Sequence, residues 1–132
     1  MTKQTSRNPI SIHWFRQDLR LSDNPALMAA AEAGSLIPAY ILDDENAEEW
    51  KMGGASRWWL HRSLSSLNDS LQGKLLLFQG NAEKILPALA EKTGASTVTW
   101  NRCYEPWRIQ RDKKIKSTLA ATGIDIVSAN GS

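Results

Sequence analysis

The stretch WFRQDLRLSDNPAL, residues 14–27, decides the fold of this chain, because it joins a buried strand to a helix through a charged turn. Residues 10–15 (ISIHWF) are almost entirely apolar and have the length of a central strand in a parallel sheet. Asn24 is a favourable N-cap, Pro25 stands where helices best tolerate proline, and the residues up to Ala33 continue the helix. The stretch therefore predicts a strand–turn–helix unit.

The turn in this unit contains no glycine, although a turn that grips phosphate through its backbone normally needs glycines. It carries Arg16, Asp18 and Arg20 instead, so a ligand bound here would be held by side chains. An Arg–Asp pair can equally brace a tight turn through a charge-assisted hydrogen bond. For Arg16 and Asp18 both interpretations stay open.

Strand and helix patterns alternate along the rest of the chain. The predicted strands are 10–15, 36–42, 74–79, 96–100 and 124–128, and the predicted helices are 25–33, 55–71, 82–93 and 106–121. Such alternation with short connections predicts an α/β fold, in which helices cover both faces of a parallel sheet. Gly34, Gly73, Gly94 and Gly123 each follow a helix, where a left-handed C-cap favours glycine.

Composition predicts one soluble domain, since the chain has 132 residues of which 42% are hydrophobic and 23% charged. Cys103 is the single cysteine, which excludes an intrachain disulfide and a multi-cysteine metal site and suits a reducing cytosol. With no secretory signal and no membrane-spanning run, we expect a cytoplasmic protein without a membrane partner. Polar residues 1–9 predict a disordered tail before a domain at 10–132.

Charge is unevenly distributed, although the net charge is only +2. Five acids and no base lie in residues 43–49, whereas six bases and two acids lie in residues 102–116. Charged runs of this kind are usually solvated surface. We expect the basic run to contribute little to DNA binding, because a few exposed phosphate contacts give weak and salt-sensitive affinity.

The second predicted helix has an apolar stripe. It consists of Leu60, Leu64, Leu67 and Leu71. Trp58 lies roughly 160° from this stripe on an ideal helical wheel, so its partner is a ligand, a second domain or a loop rather than the same core. Arg57 stands in the first turn, where the helix dipole disfavours a cation, which suggests another role for its charge.

Three blocks of the sequence resemble the DNA photolyase and cryptochrome family. They are residues 14–27, GASRWWLHRSL at 54–64, and WNRCYEP at 100–106 followed by Arg111 and Asp112. The resemblance covers that family's N-terminal α/β domain and implies a Rossmann-like sheet of five parallel strands in the order 3-2-1-4-5. Ligands of such sheets bind outside the carboxyl ends of the strands, where the strand order reverses.

The resemblance implies a pocket for a light-harvesting antenna chromophore at this edge. Its candidate residues are Arg16, Asp18, Asp43, Arg57, Trp58, Asn101, Arg102 and Glu105. Trp58 would stack on the chromophore, while Arg16 and Arg57 would hydrogen-bond its carbonyl or ribityl oxygens. Asn101 and Glu105 could instead cap the next helix. No catalytic and no metal-binding residue is expected in this chain.

The identity of the chromophore stays open. Folate-binding members of one branch of the family carry an Asn-Glu pair where this chain has Trp107 and Arg108, which argues against folate in that mode. A deazaflavin, a ribityllumazine and an empty site are the alternatives. The resemblance also implies FAD in a C-terminal helical domain, which is absent from this chain and would pack on it.

The function that the resemblance implies is that of the antenna domain of a deoxyribodipyrimidine photolyase, a carbon–carbon lyase that repairs ultraviolet-induced pyrimidine dimers in DNA with light. We expect the chain by itself to fold, to associate weakly with itself and to repair nothing. A cryptochrome, which signals in blue light, is the first alternative. A freestanding module for a nucleotide-like ligand is the second, and the missing glycine-rich turn counts against it.

Overall fold

Strands and helices alternate along the computed structural model, which describes residues 9–16, 21, 24–42, 54–102 and 106–129, with the backbone alone for 54–57, 59 and 107. The elements are β1 (Ile10–Phe15), α1 (Pro25–Ala33), β2 (Ser35–Leu42), α2 (Gly54–Ser70), β3 (Leu76–Gln79), α3 (Ala82–Thr93), β4 (Thr97–Asn101), α4 (Pro106–Ala121) and β5 (Asp125–Ala129). Every predicted strand and helix is confirmed, with ends shifted by at most two residues.

The five strands form one parallel sheet in the order β3-β2-β1-β4-β5, as predicted. In its centre β1 pairs with β2, where Phe15 stands beside Tyr40, and with β4, where His13 stands beside Thr99. The strand order reverses between β1 and β4. The connections that leave these two strands therefore diverge and open a crevice at the carboxyl edge of the sheet.

Alternating side chains of the strands build two cores, one on each face of the sheet. On one face Trp14 and Trp100 pack with residues of α3 and α4, and on the other Phe15 packs with residues of α1 and α2. The predicted leucine stripe of α2 is confirmed, since its four residues belong to the second core. None of the helices in the described part of the chain is long and apolar enough to cross a membrane.

Left-handed glycines end three of the helical segments, as predicted, because Gly73, Gly94 and Gly123 all have positive φ angles. The same prediction is wrong for Gly34, whose φ of 167° and ψ of −163° are those of an extended backbone. Glycine is required there by a close approach. A Cβ at position 34 would overlap the carbonyl oxygen of Pro9, which accepts a hydrogen bond of 2.7 Å from the Ser35 amide.

Replacing Gly34 by alanine is expected to lower the free energy of unfolding by about 1–3 kcal/mol, because the backbone of Pro9 must move to admit the methyl group. Urea denaturation followed by circular dichroism measures the loss. Gly94→Asn is the control, since position 94 is open to solvent and asparagine tolerates its left-handed conformation. Equal stability of Gly34→Ala and the unmodified chain would contradict this account.

Candidate functional site

Polar residues stand at the carboxyl edge of the sheet, where β1 and β4 end. Arg16 directly follows β1, Asn101 ends β4, and Arg102 follows it. The first two side chains are enclosed, whereas Arg102 is exposed. The geometry of these residues determines what the edge can bind.

A buried charge cluster connects the end of β1 to helix α4. Arg16 Nη1 lies 2.8 Å from Asp112 Oδ2, and Arg111 Nη2 lies 3.3 Å from Asp112 Oδ1. The Arg16 side chain is only 2% exposed and that of Asp112 14%. Two charges that are this little exposed to solvent lose most of their hydration. Their ion pair is favourable only where good geometry and further contacts compensate for that loss. The cluster therefore fixes the residue that follows β1 against α4.

The indole of Trp14 supplies further contacts to this cluster. The Cζ atoms of Arg16 and Arg111 lie 4.7 Å and 4.8 Å from its ring centroid, within the range of cation–π attraction. Trp100 meets the same ring edge-on, with centroids 5.5 Å apart. Trp14 Nε1 is buried without a hydrogen-bond partner among the described residues, so the cations and the aromatic edge account for the placement of this indole.

Asn101 closes a second network, at the N-terminus of α1. Its Oδ1 accepts a hydrogen bond of 3.3 Å from the Ala26 amide, and its Nδ2 donates one of 2.6 Å to Asn24 Oδ1. Asn24 Oδ1 also accepts from the Leu27 amide at 3.1 Å, which confirms Asn24 as the N-cap of α1. The amide of Asn101 thus caps α1, which precedes it in sequence, whereas the sequence suggested the next helix.

His13 lies in the same central strand and makes structural contacts. Its Nδ1 is 2.9 Å from Thr99 Oγ1 on β4, and its ring meets Phe15 edge-on with centroids 4.5 Å apart. The side chain is fully buried. These contacts give His13 a role in the packing of the sheet.

Trp58 stands apart from both networks, on the outer side of α2. It is 54% exposed, and the Cζ of Arg62, one turn further along the helix, lies 5.0 Å from its ring centroid. The helical wheel is therefore right that Trp58 does not belong to the leucine core. A half-exposed indole has a flat apolar ring with a polar N–H edge at the surface of the helix.

Arg102 borders a groove between α4 and the end of β5. Its Nε donates a hydrogen bond of 3.3 Å to Ser128 Oγ. The groove has a volume of about 260 Å³, and Ile109 and the exposed cations Lys113 and Lys116 form its α4 wall. Arg102 thus lies on the α4 side of the sheet edge, as Arg16 does.

The candidate residues divide between the two faces of the sheet. Arg16 and Arg102 lie on the side of α4, whereas Asn101 lies on the side of α1 and Trp58 on the outer surface of α2. For Arg57 the structure describes the backbone alone, in the first turn of α2. Asp18, Asp43 and Glu105 lie outside the described residues.

Comparison with models of known protein families gives one match. The model of the DNA photolyase family matches residues 11–132, which is nearly the whole chain. The chain belongs to the DNA photolyase family. The resemblance to this family that the sequence showed is thereby confirmed.

Relatives within the family include both photolyases and cryptochromes. The deoxyribodipyrimidine photo-lyase of Agrobacterium fabrum is 48% identical over 124 residues, which are 91% of this chain and 25% of that protein. Cryptochrome-1 of Sinapis alba is 40% identical over 131 residues, which are 96% of this chain and 26% of that protein. The chain therefore spans about a quarter of the length of the curated relatives it matches.

Solved structures of the family have the same fold. A bacterial class III photolyase from Agrobacterium tumefaciens superposes with a TM-score of 0.83 at 42% identity, over 98% of this chain and 27% of that one. An archaeal photolyase from Sulfolobus tokodaii, solved with two FAD molecules, superposes with a TM-score of 0.78 at 31% identity, over 92% and 29% of the two chains.

Two residues of this photolyase-family domain gain a role that the sequence did not reveal. Arg111 and Asp112 belong to a matching block, but nothing in the sequence pattern connects them with Arg16 or Trp14. The one available signal is that Asp112 is the sole acid in α4 among several bases. Its partner Arg16 directly follows β1.

Proposed function

We propose that this chain is the antenna-binding α/β domain of a deoxyribodipyrimidine photolyase. The whole protein would repair pyrimidine dimers in DNA by light-driven electron transfer from FAD in a second, helical domain that packs on this one. The observation that carries the proposal is the 48% identity, over nearly the whole chain, to a relative named for this activity. In such a protein this domain absorbs light through a bound chromophore and passes the energy on.

The carboxyl edge suits that task because its framework is rigid. Transfer of excitation energy requires a chromophore that is held in a fixed position, and no acid, base or nucleophile. The ion pair of Arg16 with Asp112 and the hydrogen bonds of Asn101 hold the two sides of the crevice in place. Binding sites for flat cofactors are likewise largely preformed and mostly apolar, with a few polar groups that fix orientation.

Within this framework we assign different roles to the candidate residues. Trp58 and Arg102 have exposed side chains, so they can contact a chromophore directly, with the indole as a stacking face. Arg16 and Asn101 are 5% and 3% exposed and already hold contacts within the fold. They would therefore position the elements around the chromophore without contacting it. Asp18, Asp43, Arg57 and Glu105 remain candidates for polar contacts to the chromophore.

A flavin-like chromophore fits the proposal better than folate. Trp107 and Arg108 stand in the first turn of α4, at positions where the family resemblance implies an Asn-Glu pair in folate-binding members. The archaeal photolyase from Sulfolobus tokodaii is described as holding two FAD molecules, with the implication of a novel light-harvesting cofactor. A deazaflavin or a ribityllumazine offers a similar flat ring with polar edges for stacking on Trp58.

Replacing Trp58 by alanine in the full-length protein is expected to weaken chromophore binding by about 1–3 kcal/mol, as the loss of a stacking aromatic does for nucleobases. Occupancy is measured by releasing the chromophore from the purified, denatured protein and separating it from FAD by chromatography, because both absorb in the near-ultraviolet and blue. Repair should persist at lower quantum efficiency, because the flavin itself absorbs light.

Two controls separate stacking from packing. Trp58→Phe keeps an aromatic face and should retain more chromophore than Trp58→Ala. Met28→Ala removes an equally exposed apolar side chain from α1 and should retain all of it. If Trp58→Ala keeps full occupancy but lowers the melting temperature of the full-length protein, Trp58 packs against another domain and its assignment to the pocket fails.

A cryptochrome is the second candidate, and the identity of 40% to Cryptochrome-1 of Sinapis alba, over 96% of this chain, favours it. The decisive experiment illuminates the full-length protein with duplex DNA that contains cyclobutane pyrimidine dimers. Restoration of intact pyrimidines supports the photolyase. Chromophore and flavin absorption without any repair, under reducing conditions that keep the flavin reduced, would overturn the photolyase proposal in favour of the cryptochrome.

A further inference from the structure

Two tryptophan rings meet inside the carboxyl edge of the sheet. Trp14 is the second-last residue of β1, and Trp100 is the second-last residue of β4. Their ring centroids lie 5.5 Å apart, and the two residues are 1% and 2% exposed. The two indoles thus have the same burial and the same place along neighbouring strands. A difference in their chemistry must therefore come from the groups around them.

The charges around the two rings differ. The Cζ atoms of Arg16 and Arg111 lie 4.7 Å and 4.8 Å from the centroid of the Trp14 ring. Among the described residues, no arginine or lysine lies over the Trp100 ring in this way. Asp112 pairs with both arginines, so two guanidinium groups and one carboxylate leave a net charge of +1 beside Trp14.

A net positive charge makes an indole harder to oxidise. A guanidinium is attracted to the electron-rich face of a neutral ring, but once the ring has lost an electron the two cations repel each other. This repulsion is strong at Trp14, because little water is present to weaken it. Arg102, the cation that borders the same groove as Trp100, is exposed to water. Removing an electron from Trp14 should therefore require more free energy than removing one from Trp100.

The Nε1–H group of Trp14 supports the same conclusion. It is buried and has no hydrogen-bond acceptor among the described residues. A buried donor without an acceptor is unfavourable and uncommon in folded proteins. An indole that has lost an electron becomes far more acidic and normally passes its N–H proton to a hydrogen-bonded acceptor, which makes the loss lasting. Because Trp14 lacks such an acceptor, a lost electron would return to it.

We propose that Arg16 and Arg111 keep Trp14 from donating an electron to a chromophore that has been excited by light. This inference rests on the proposed function, since it requires a flavin-like chromophore at the carboxyl edge. An excited ring of this kind can take one electron from a nearby indole, which leaves the indole one electron short and dissipates the excitation energy. Trp14 is the indole at risk, because it contacts Arg16, a candidate residue of the site. Arg111 would not touch the chromophore and acts through Trp14.

One-electron oxidation in the dark tests the difference between the two indoles. Azide radicals, generated by radiolysis in a solution of the full-length protein, each take one electron from an indole and become azide ions. Mass spectrometry of peptides then measures the oxidised fractions of Trp14 and Trp100. We expect roughly tenfold less oxidation at Trp14; Arg111→Met should remove most of this difference, whereas Arg111→Lys should keep it. Equal oxidation of the two residues in the unmodified protein, or a ratio that Arg111→Met leaves unchanged, would overturn the proposal.

Fluorescence of the bound chromophore tests the consequence for light harvesting. The full-length protein is depleted of FAD, so that energy transfer does not shorten the lifetime. At equal occupancy, Arg111→Met should shorten the fluorescence lifetime, and the additional change Trp14→Phe should restore it, since phenylalanine is much harder to oxidise than tryptophan. Lys84→Gln removes an exposed cation from α3 and should leave the lifetime unchanged. An unchanged lifetime in Arg111→Met, or a shortened one that Trp14→Phe does not restore, contradicts the protective role.

The two tests also separate this inference from the proposed function. The oxidation test needs no bound chromophore. A full-length protein that binds none would contradict the proposed function, while the ratio of oxidation at Trp14 and Trp100 would still decide whether the arginines protect Trp14.

Discussion

Replacing Asp112 by asparagine is expected to lower the free energy of unfolding by about 3–5 kcal/mol, the usual cost of breaking a buried ion pair. The carboxylate of Asp112 contacts Arg16 at 2.8 Å and Arg111 at 3.3 Å, and both guanidinium groups also contact the Trp14 ring. Asparagine keeps the volume but removes the negative charge that these buried cations face. Guanidinium denaturation followed by circular dichroism measures the loss.

Two variants make this prediction specific. Asp69→Asn removes a carboxylate from the exposed surface of α2 and should change stability by less than about 0.5 kcal/mol. Arg16→Met and Arg111→Met combined with Asp112→Leu remove all three charges of the cluster, and replacing buried ion pairs by apolar residues of similar volume is often nearly neutral. If the triple substitution proves as harmful as Asp112→Asn alone, the cost does not come from stranded charge.

The second large effect is expected from Asn101→Ala, which should lower the free energy of unfolding by about 2–4 kcal/mol. Asn101 is 3% exposed, and its amide both accepts from the Ala26 N–H and donates to Asn24 Oδ1. Alanine would leave the buried N–H at the start of α1 without this acceptor. Thermal unfolding of the chain without chromophore isolates this structural role.

An ordinary helix cap provides the control for Asn101. The Oδ1 atom of Asn81 caps α3 by accepting a hydrogen bond of 2.9 Å from the Glu83 amide, at a partly buried position. Asn81→Ala should cost about 1 kcal/mol, as losses of single caps do. If Asn101→Ala costs no more than this yet abolishes chromophore binding in the full-length protein, Asn101 acts as a chromophore ligand instead.

The architecture was predictable because strand and helix periods are local properties of the sequence. The apolar run 10–15 and the leucine stripe of α2 specify their elements without knowledge of distant residues. The reason for glycine at position 34, in contrast, is a tertiary contact. Its position after α1 resembles a helix cap, yet the reason for glycine is the backbone of Pro9, which approaches from the neighbouring strand and leaves no local signal.

The candidate site was predictable only as a location. Strand order brings the residues after β1 and β4 to one edge, but side chains of consecutive residues point to opposite faces of a strand. Arg102 therefore lies near α4 while Asn101 caps α1. The ion pair between Asp112 and Arg16 could not be predicted, because α4 and the end of β1 approach each other only in the folded protein. No periodicity within either segment indicates that contact.

The central position of β1 has a consequence during synthesis of the protein. Its partner on one side, β4, is joined to it by contacts such as His13–Thr99, which spans 86 residues of sequence. At a translation rate of about 5–20 residues per second, one side of this strand waits roughly 4–17 seconds for its neighbour to emerge. An almost wholly apolar strand with an unpaired edge is then a natural substrate for a ribosome-associated chaperone, and slowing translation between β2 and β4 should increase aggregation of the nascent chain.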